Sequence, residues 1–313
     1  MPTASAPAAS LPSEGGSARR LANKIIVISG GTQGCGAGIA RVCAHEGAEG
    51  IAICGRSEAN GAKVAAELEA LGATALYVRA DLTDAAACLN FIAKADERFG
   101  RIDGLVNCAA ATTRGTWLCE GGSVQASAEL MDVLYKLNMR APFLLTQAAA
   151  AVMAREGRGG SVVNIGSVNG HGGQVRTTLL LLLLLLLPFL LLVLTSLLQS
   201  NLPCYSMTKG ALLTMTKHAA WALRRERIRC NIIMMGWTFT EAEDAMMQSE
   251  GKPAGWVEEA DASMDTGRLL RPVDIAKQAV HLLSDDAVMQ SGGVIDLHER
   301  PGLCCWDGQP ESA

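Results

Sequence analysis

The sequence lacks paired cysteines, an excess of basic residues and histidines at metal-ligand spacing. Its ten cysteines form no CxxC pair, which excludes a typical zinc site or disulfide framework and favours a reducing compartment. A formal net charge of -4 gives no basic surface for nucleic acid. The first twenty residues have no apolar stretch of the secretory type. We therefore expect a cytoplasmic protein that binds no nucleic acid, with organelle import as the alternative.

The composition favours a single large folded domain between two tails. Apolar residues make up 49% of the chain and charged residues 19%, which permits a sizeable core and excludes wholesale disorder. Residues 1–20 are rich in Ala, Ser, Pro and Gly and predict a disordered tail. We expect one domain over residues 21–300, interrupted by an apolar insertion at 175–199, and a C-terminal tail over 301–313.

Short apolar runs alternate with helical patterns from Lys24 onward. Continuous Val- and Ile-rich strands that alternate with helices predict an α/β fold, in which a doubly wound parallel sheet of about seven strands carries helices on both faces. The predicted strands are 24–29, 50–54, 74–79, 103–107, 161–166, 228–233 and 293–297, and the clearest predicted helices are 58–71, 84–99, 126–154 and 206–226.

A glycine cluster follows the first predicted strand. Gly30, Gly34 and Gly36 lie where that strand turns into a helix. Such a turn lets the backbone approach a pyrophosphate, and the helix N-terminus offers N–H donors to it. A tight strand-to-helix turn without a ligand would have the same sequence, so this cluster alone does not decide between the two.

Arg56 follows the second predicted strand at the position where an acidic residue would bind a ribose 2′-hydroxyl. The absence of that acid, with an arginine present, favours a 2′-phosphate and hence NADP(H) over NAD(H). An exposed, solvated arginine is the alternative.

Tyr205 and Lys209 are four residues apart on a predicted helix and therefore lie on one face of it. A nearby cation stabilises a phenolate and lowers the pKa of a tyrosine, which suits acid–base chemistry. An ordinary surface pair on a helix has the same spacing.

Taken in order, the motifs resemble the short-chain dehydrogenase/reductase family. They are SGGTQGCG at 29–36, RADL at 79–82, NCAA at 107–110, Asn138, Ser167 after NIG, and YSMTK at 205–209. The resemblance runs from about residue 21 to about residue 297 and implies a Rossmann fold, interconversion of a carbonyl and its alcohol by hydride transfer, and a homodimer or homotetramer formed through helices 126–154 and 206–226.

The resemblance implies a role for each of four residues. Tyr205 would be the general acid or base, and Lys209 would hold the nicotinamide ribose and depress the tyrosine pKa. Ser167 would donate a hydrogen bond to the developing alkoxide. Asn138 would anchor a water relay to Lys209. Asn138 as a locally satisfied helix residue, and Ser167 as a loop cap, are the alternatives.

The resemblance also implies which residues contact the dinucleotide, with Asp81 against the adenine and Gly236 near the nicotinamide. The full set is Gly30, Thr32, Gln33, Gly34, Gly36, Arg56, Asp81, Leu82, Asn107, Ala109, Tyr205, Lys209, Gly236, Thr238 and Thr240.

The sequence departs from the family pattern in three places. One asparagine and the glycine of the NNAG motif are replaced in NCAA, and Met235 stands where a proline precedes Gly236. The largest departure separates Ser167 from Tyr205 by 38 positions, and removal of Val175–Gln199 restores a spacing typical of the family.

The insertion contains seventeen large apolar side chains between Leu179 and Leu198. Exposing them to water would forgo tens of kcal/mol of burial, at roughly 1.5–3 kcal/mol each. Membrane contact through 179–198, a lining of the substrate mouth, burial in another subunit and aggregation are all open. We favour a translated intron over membrane contact. If the insertion disables catalysis, the chain would be a cofactor-binding but catalytically impaired relative of the family.

The substrate is expected to be a small carbonyl compound or alcohol. Residues 238–268 should form a lid over it, flanked by Trp237 and including Trp256. Acidic residues at 241, 243 and 244 would suit a polar carbonyl, a sugar or a polyol, although acids on a lid are commonly just solvated.

Overall fold

The computed structural model describes residues 19–112, 126–155, 157–171 and 202–298. The predicted tails at 1–20 and 301–313 lie almost entirely outside these residues. The insertion at 175–199, including the apolar segment 179–198, lies wholly outside them. In the described ranges, no helix is both long and apolar enough to span a bilayer.

All seven predicted strands are present and form one parallel sheet in the order β3-β2-β1-β4-β5-β6-β7. The strands are β1 Ile25–Ser29, β2 Gly50–Gly55, β3 Thr74–Arg79, β4 Gly104–Asn107, β5 Gly160–Ser167, β6 Ile228–Met235 and β7 Val294–Leu297. Strand order reverses between β1 and β4, so their carboxyl ends border the crevice where doubly wound folds bind ligands.

Helices cover both faces of the sheet, which confirms the predicted fold class. Alternate residues of β1 face opposite layers: Ile26 and Ile28 pack into one core cluster and Val27 into the other. The helices are α1 Gly34–His45, α2 Glu58–Ala70, α3 Ala85–Phe99, α4 Ala128–Tyr135, α5 Ala141–Arg155, α6 Pro203–Ala222, α7 Glu241–Ser249, α8 Trp256–Ala262 and α9 Pro272–Leu283. The first core cluster lies beneath α1, α2 and α9, and the second beneath α3, α5 and α6.

The helical stretch predicted over 126–154 is helical from Ala128 to Arg155, but it is not a regular α-helix throughout. A five-residue π-helical turn, Lys136–Arg140, separates α4 from α5. Pro142 has no N–H and cannot donate to the carbonyl of Asn138, four residues earlier, while the N–H of Ala141 bonds to Lys136 five residues back. The turn therefore follows from the proline, and it falls at Asn138.

Candidate active site

The glycine turn forms the floor of the site between β1 and α1. Gly30 and Gly34 have positive φ angles of 69° and 51°, a region that favours glycine. A Cβ on Gly36 would lie 2.2 Å from the carbonyl oxygen of Gly30, so only glycine fits there. The turn is therefore close-packed at its base.

The N-terminus of α1 is open to a ligand. Gln33 is the N-cap but makes no side-chain cap bond, and the first turn carries no acidic residue. A Cβ on Gly34 would meet nothing nearer than Thr240 at 3.5 Å. Thr32 is buried beside Gly55. Uncapped N–H groups at the positive end of a helix dipole suit an anion such as a phosphate.

Arg56 and Asp81 lie together at the next strand ends. Arg56 is exposed. The Asp81 carboxylate accepts hydrogen bonds from the Thr83 backbone (3.0 Å) and hydroxyl (2.8 Å). These bonds, with a smaller contribution from the Arg56 charge, lower the pKa of Asp81. Leu82 is buried in the core, so its side chain is not on the surface of the site.

The end of β4 joins the glycine turn to the sheet. Ser29 accepts hydrogen bonds from the N–H groups of Cys108 (3.1 Å) and Ala109 (3.3 Å), and a Cβ on Gly30 would lie 2.7 Å from the Cα of Ala109. Asn107 is buried and donates to Thr146 (3.1 Å) and to the Asn164 side chain (2.8 Å). These bonds hold Asn107 inside the sheet, while Ala109 borders the turn.

The structure brings Ser167, Tyr205 and Lys209 together although 38 positions separate the first two. Tyr205 is 7% exposed, and its hydroxyl hydrogen-bonds with Ser167 at the carboxyl end of β5. The Lys209 ammonium donates to the carbonyl of Ile165 at 2.8 Å and lies 5.6 Å from the centre of the Tyr205 ring. Strand β5 thus holds Ser167 and, through Lys209, positions α6.

The expected depression of the Tyr205 pKa is not what the structure gives. Burial raises this pKa well above its ordinary value, and the bond with Ser167 opposes the rise only in part. Burial also lowers the pKa of Lys209 to about 8. Desolvation disfavours both charged forms, and it outweighs the attraction between a phenolate and an ammonium in this closed site.

The Asn138 side chain links its own helical turn to the segment after β4 and to α6 by hydrogen bonds. Its amide oxygen accepts from the N–H of Ala111 (2.9 Å), and its amide nitrogen donates to the Ala111 carbonyl (3.0 Å) and to the Thr208 hydroxyl (3.1 Å). Thr208 in turn donates to the Tyr205 carbonyl at 2.8 Å. Thr208 was not among the predicted site residues. Its position inside the YSMTK motif, directly before Lys209, could have indicated that it belongs to the site.

The segment after β6 closes the site from above. Gly236 donates to the Leu297 carbonyl at 2.8 Å, and the buried Thr238 donates to Gly236 at 3.2 Å. Thr240 caps α7 by accepting from the N–H of Glu243 at 3.1 Å. The predicted lid therefore begins beside the glycine turn, where Thr240 approaches Gly34.

The two lid tryptophans stack with their ring centres 5.6 Å apart, and each indole donates to a lid carboxylate. Trp237 bonds Glu243 and Trp256 bonds Asp244, both at 2.8 Å. The charge of Glu243 makes a small contribution to the raised pKa of Tyr205.

Two thiols near Lys209 are not nucleophiles at neutral pH. Burial raises the pKa of Cys108 to about 11 and that of Cys35 still further. No cluster of three potential metal ligands occurs within the described ranges.

Comparisons with known proteins give matches over most of the chain. Residues 24–179 match the family model of the short chain dehydrogenases, and residues 192–297 match the model described as Enoyl-(Acyl carrier protein) reductase. The chain is 28% identical to L-rhamnose 1-dehydrogenase (NAD(P)(+)) of a Sphingomonas species, over 88% of this chain and 94% of that protein. It is 31% identical to 2,5-dichloro-2,5-cyclohexadiene-1,4-diol dehydrogenase of Sphingobium indicum, over 90% and 96% of the two chains.

The similarity extends to solved structures. A short-chain dehydrogenase/reductase from Serratia marcescens superposes with a TM-score of 0.71 at 26% identity, covering 90% of this chain and 98% of that one. The family models, the sheet order and the grouping of Ser167, Tyr205 and Lys209 lead to one assignment. The chain belongs to the short-chain dehydrogenase family.

Proposed function

We propose that this chain is a nicotinamide-dependent oxidoreductase that interconverts a carbinol and its carbonyl, with Tyr205 as the general acid or base. The observation that carries the proposal is the grouping of Tyr205, Ser167 and Lys209 beside an uncapped helix N-terminus. Its relatives include proteins named as dehydrogenases of a sugar and of a cyclic diol.

The residues fit a dinucleotide. The open N-terminus of α1 at Gly34 would take the pyrophosphate, with Thr32 and Gln33 beside it and Ala109 across the turn. Lys209 would bind the nicotinamide ribose, and the loop over Gly236–Thr240 would border the nicotinamide. The bound dinucleotide would supply or accept the hydride.

In the reductive direction, the Tyr205 hydroxyl donates its proton to the substrate oxygen as that oxygen gains negative charge. Ser167 donates a hydrogen bond to the same oxygen. The ammonium of Lys209 then stabilises the phenolate, and Asn138 and Thr208 hold α6 in register beneath it. The raised pKa of Tyr205 keeps the hydroxyl protonated until substrate and cofactor are in place.

Tyr205→Phe tests this mechanism. We expect it to abolish turnover while NADPH still binds, since the hydroxyl is lost but the ring remains. Tyr135→Phe is the matched control, because Tyr135 is half exposed on α4 and its substitution should leave turnover unchanged. Turnover by Tyr205→Phe comparable with that of the natural chain would refute the role of Tyr205.

We propose NADP(H) as the preferred cofactor, because Arg56 is exposed beside Asp81 where a 2′-phosphate would lie. Arg56→Ala should weaken NADPH binding about tenfold or more, as expected for the loss of a charge-assisted bond, and leave NADH binding unchanged. Arg225→Ala, an exposed arginine after α6, is the control. Equal losses for NADPH and NADH would contradict the assignment.

A polyhydroxylated substrate is the class we favour. Glu243 lies near enough to Tyr205 for its charge to raise the tyrosine pKa, and the Trp237 indole holds its carboxylate at 2.8 Å. A carboxylate there accepts hydrogen bonds from substrate hydroxyls. The test compares kcat/KM for sugars, polyols and simple ketones with the same carbon skeletons. A higher kcat/KM for the simple ketones would refute the proposal.

We also propose a homodimer or homotetramer formed through α4, α5 and α6. These helices expose Phe143 (53%) and Met207 (48%), and such apolar groups are typically covered in assemblies. Light scattering on the purified chain tests the proposal, which a monomer at micromolar concentration would refute.

A further inference from the structure

A cavity of about 750 Å³ lies at the amino ends of β5 and β6, on the edge of the sheet opposite the candidate active site. Ser161 and Arg229 line it near the start of these two strands. Ser167 stands at the other end of β5, roughly 20 Å away at 3.3 Å per residue. The cavity is thus separate from the catalytic residues, and the proposed function does not use it.

The lining of this cavity is strongly cationic. It includes six Lys or Arg side chains and two Asp side chains, although the whole chain has a net charge of -4. Both acids are already engaged: Asp285 pairs with Lys24 at 2.8 Å, and Asp103 with Arg101 at 3.1 Å. Among the other lining cations, Lys217, Arg224 and Arg227 have no ion pair with a carboxylate of the described residues.

Three lining arginines are oriented by backbone carbonyls and by no carboxylate of the described chain. Arg224 donates to the Trp221 carbonyl at 2.5 Å, Arg229 donates to the Ser284 carbonyl at 3.1 Å, and Arg227 donates to the Gly157 carbonyl. A carbonyl orients a guanidinium without neutralising it, and each guanidinium has five N–H donors. These arginines keep both their charge and spare donors.

Lys217 and Trp221 extend the lining along α6. Lys217 is exposed and makes no hydrogen bond or ion pair with another described residue. The Trp221 ring is 69% exposed, and the Arg224 guanidinium stacks on it at 3.7 Å from the ring centre. The stack fixes a planar guanidinium at the cavity mouth, an arrangement suited to the oxygens of a phosphate.

We propose that this cavity binds a multiply charged phosphate compound, with Lys217, Arg224 and Arg229 as its principal ligands. Oriented but un-neutralised guanidiniums bind phosphate oxygens bidentately, and several in one concave site favour more than one phosphate group. Partial burial of Arg229, which lowers the pKa of its guanidinium, strengthens its attraction to an anion by excluding water.

Calorimetric titration of inorganic tripolyphosphate into the full-length protein tests the proposal. The titration is run on the natural chain and on a variant of the cavity lining, because only binding in the cavity depends on Lys217 and Arg224. We expect one site per chain that depends on these residues and weakens with added salt. A failure of the proposed cofactor site would leave this result unchanged, because neither residue belongs to that site.

The double variant Lys217→Ala/Arg224→Ala should weaken tripolyphosphate binding roughly tenfold or more. Its control, Lys63→Ala/Arg225→Ala, removes the same charge from exposed positions outside the cavity lining. A parallel titration with ATP distinguishes the sources: tighter binding of ATP that depends on Trp221 identifies a nucleotide, and equal binding identifies a phosphate chain alone.

Three results would overturn the proposal. One is the absence of tripolyphosphate binding to the natural chain. Another is an equal loss in the double variant and its control, which would mean nonspecific attraction to positive charge. The third is a change of oligomeric mass in the double variant alone, which would make the cavity a subunit interface.

Discussion

Lys209 should destabilise the fold that it serves. It is 3% exposed, and burial lowers its pKa from 10.5 to about 8. The unfolded chain therefore binds a proton more tightly than the native chain does. At 1.36 kcal/mol per pH unit, the buried ammonium destabilises the native state by about 3 kcal/mol at pH 7 relative to a neutral side chain.

The variant Lys209→Met isolates this contribution. Methionine fills a similar volume without a charge, but it leaves the Ile165 carbonyl without its bond from Lys209, at a cost of about 1–3 kcal/mol that does not depend on pH. The two effects oppose each other at pH 7. The pH dependence of the stability difference separates them, because only the charge titrates.

The assay is urea unfolding of both chains at a series of pH values and one protein concentration. Below pH 8 the stability difference between the natural chain and Lys209→Met should be constant. Between pH 8 and about 10.5, the free energy of unfolding of the natural chain should rise relative to that of the variant by roughly 1.4 kcal/mol per pH unit, about 3 kcal/mol in all. It rises because Lys209 loses its proton in this range and the native state no longer buries a charge.

A flat difference from pH 7 to pH 10.5 would refute the reasoning, because it would mean that the native pKa of Lys209 is close to its ordinary value. Lys63→Met is the control, since Lys63 is exposed on α2 and should show that flat difference. Lys209→Met should also lose turnover at every pH, which would show that the site retains a destabilising residue for its function.

Two further predictions follow from close contacts in the site. Gly36→Ala would place a Cβ 2.2 Å from the carbonyl oxygen of Gly30 and should lower the free energy of unfolding by more than about 2 kcal/mol. Gly255→Ala is the control, because a Cβ there would have no atom nearer than 3.8 Å. Equal melting temperatures of the two variants would contradict the packing argument. Glu243→Gln removes a charge that raises the Tyr205 pKa, so the alkaline inflection in the pH profile of alcohol oxidation should move to lower pH. An inflection that stays in place or moves to higher pH would mean that the Glu243 charge does not act on Tyr205.

The fold was predictable because its determinants are local. Each central strand is a continuous apolar run buried on both faces, and such runs are visible in the sequence, as in Ile25–Ser29. The spacing of Tyr205 and Lys209 placed both on one helix face, and α6 bears this out. The order of the motifs indicated Ser167 and Asn138 as site residues, and in the structure both lie at the same edge of the sheet.

What the sequence did not reveal depends on packing between distant segments. The pKa of Tyr205 is raised by burial, with smaller contributions from Cys35 and Glu243, and burial among distant segments has no local signal in the sequence. The break at Asn138 did have one, since Pro142 follows at the spacing that removes a helical hydrogen bond. The cationic cavity collects residues from β5, β6 and α6, so no single stretch of sequence shows it.

Several described contacts that align Ser167 with Tyr205 are made by residues outside the insertion at 175–199. Ser167 and Ile165 both belong to β5, and Lys209 reaches back from α6 to bond Ile165 at 2.8 Å. Gly170 packs against the Lys209 backbone so closely that a Cβ there would lie 2.7 Å from its carbonyl carbon. β5, the short turn that follows it and α6 therefore contact one another directly and hold the two halves of the site together.

Deleting residues 175–199 should accordingly leave the site intact. We expect the shortened chain to bind NADPH and to reduce a carbonyl substrate at least as fast as the full chain, measured side by side in one assay. Faster turnover after the deletion would mean that the apolar segment obstructs the site, and equal turnover would place it outside the site. A shortened chain that folds and binds NADPH but does not turn over would contradict the argument, because it would make the segment a working part of catalysis rather than an insertion between β5 and α6.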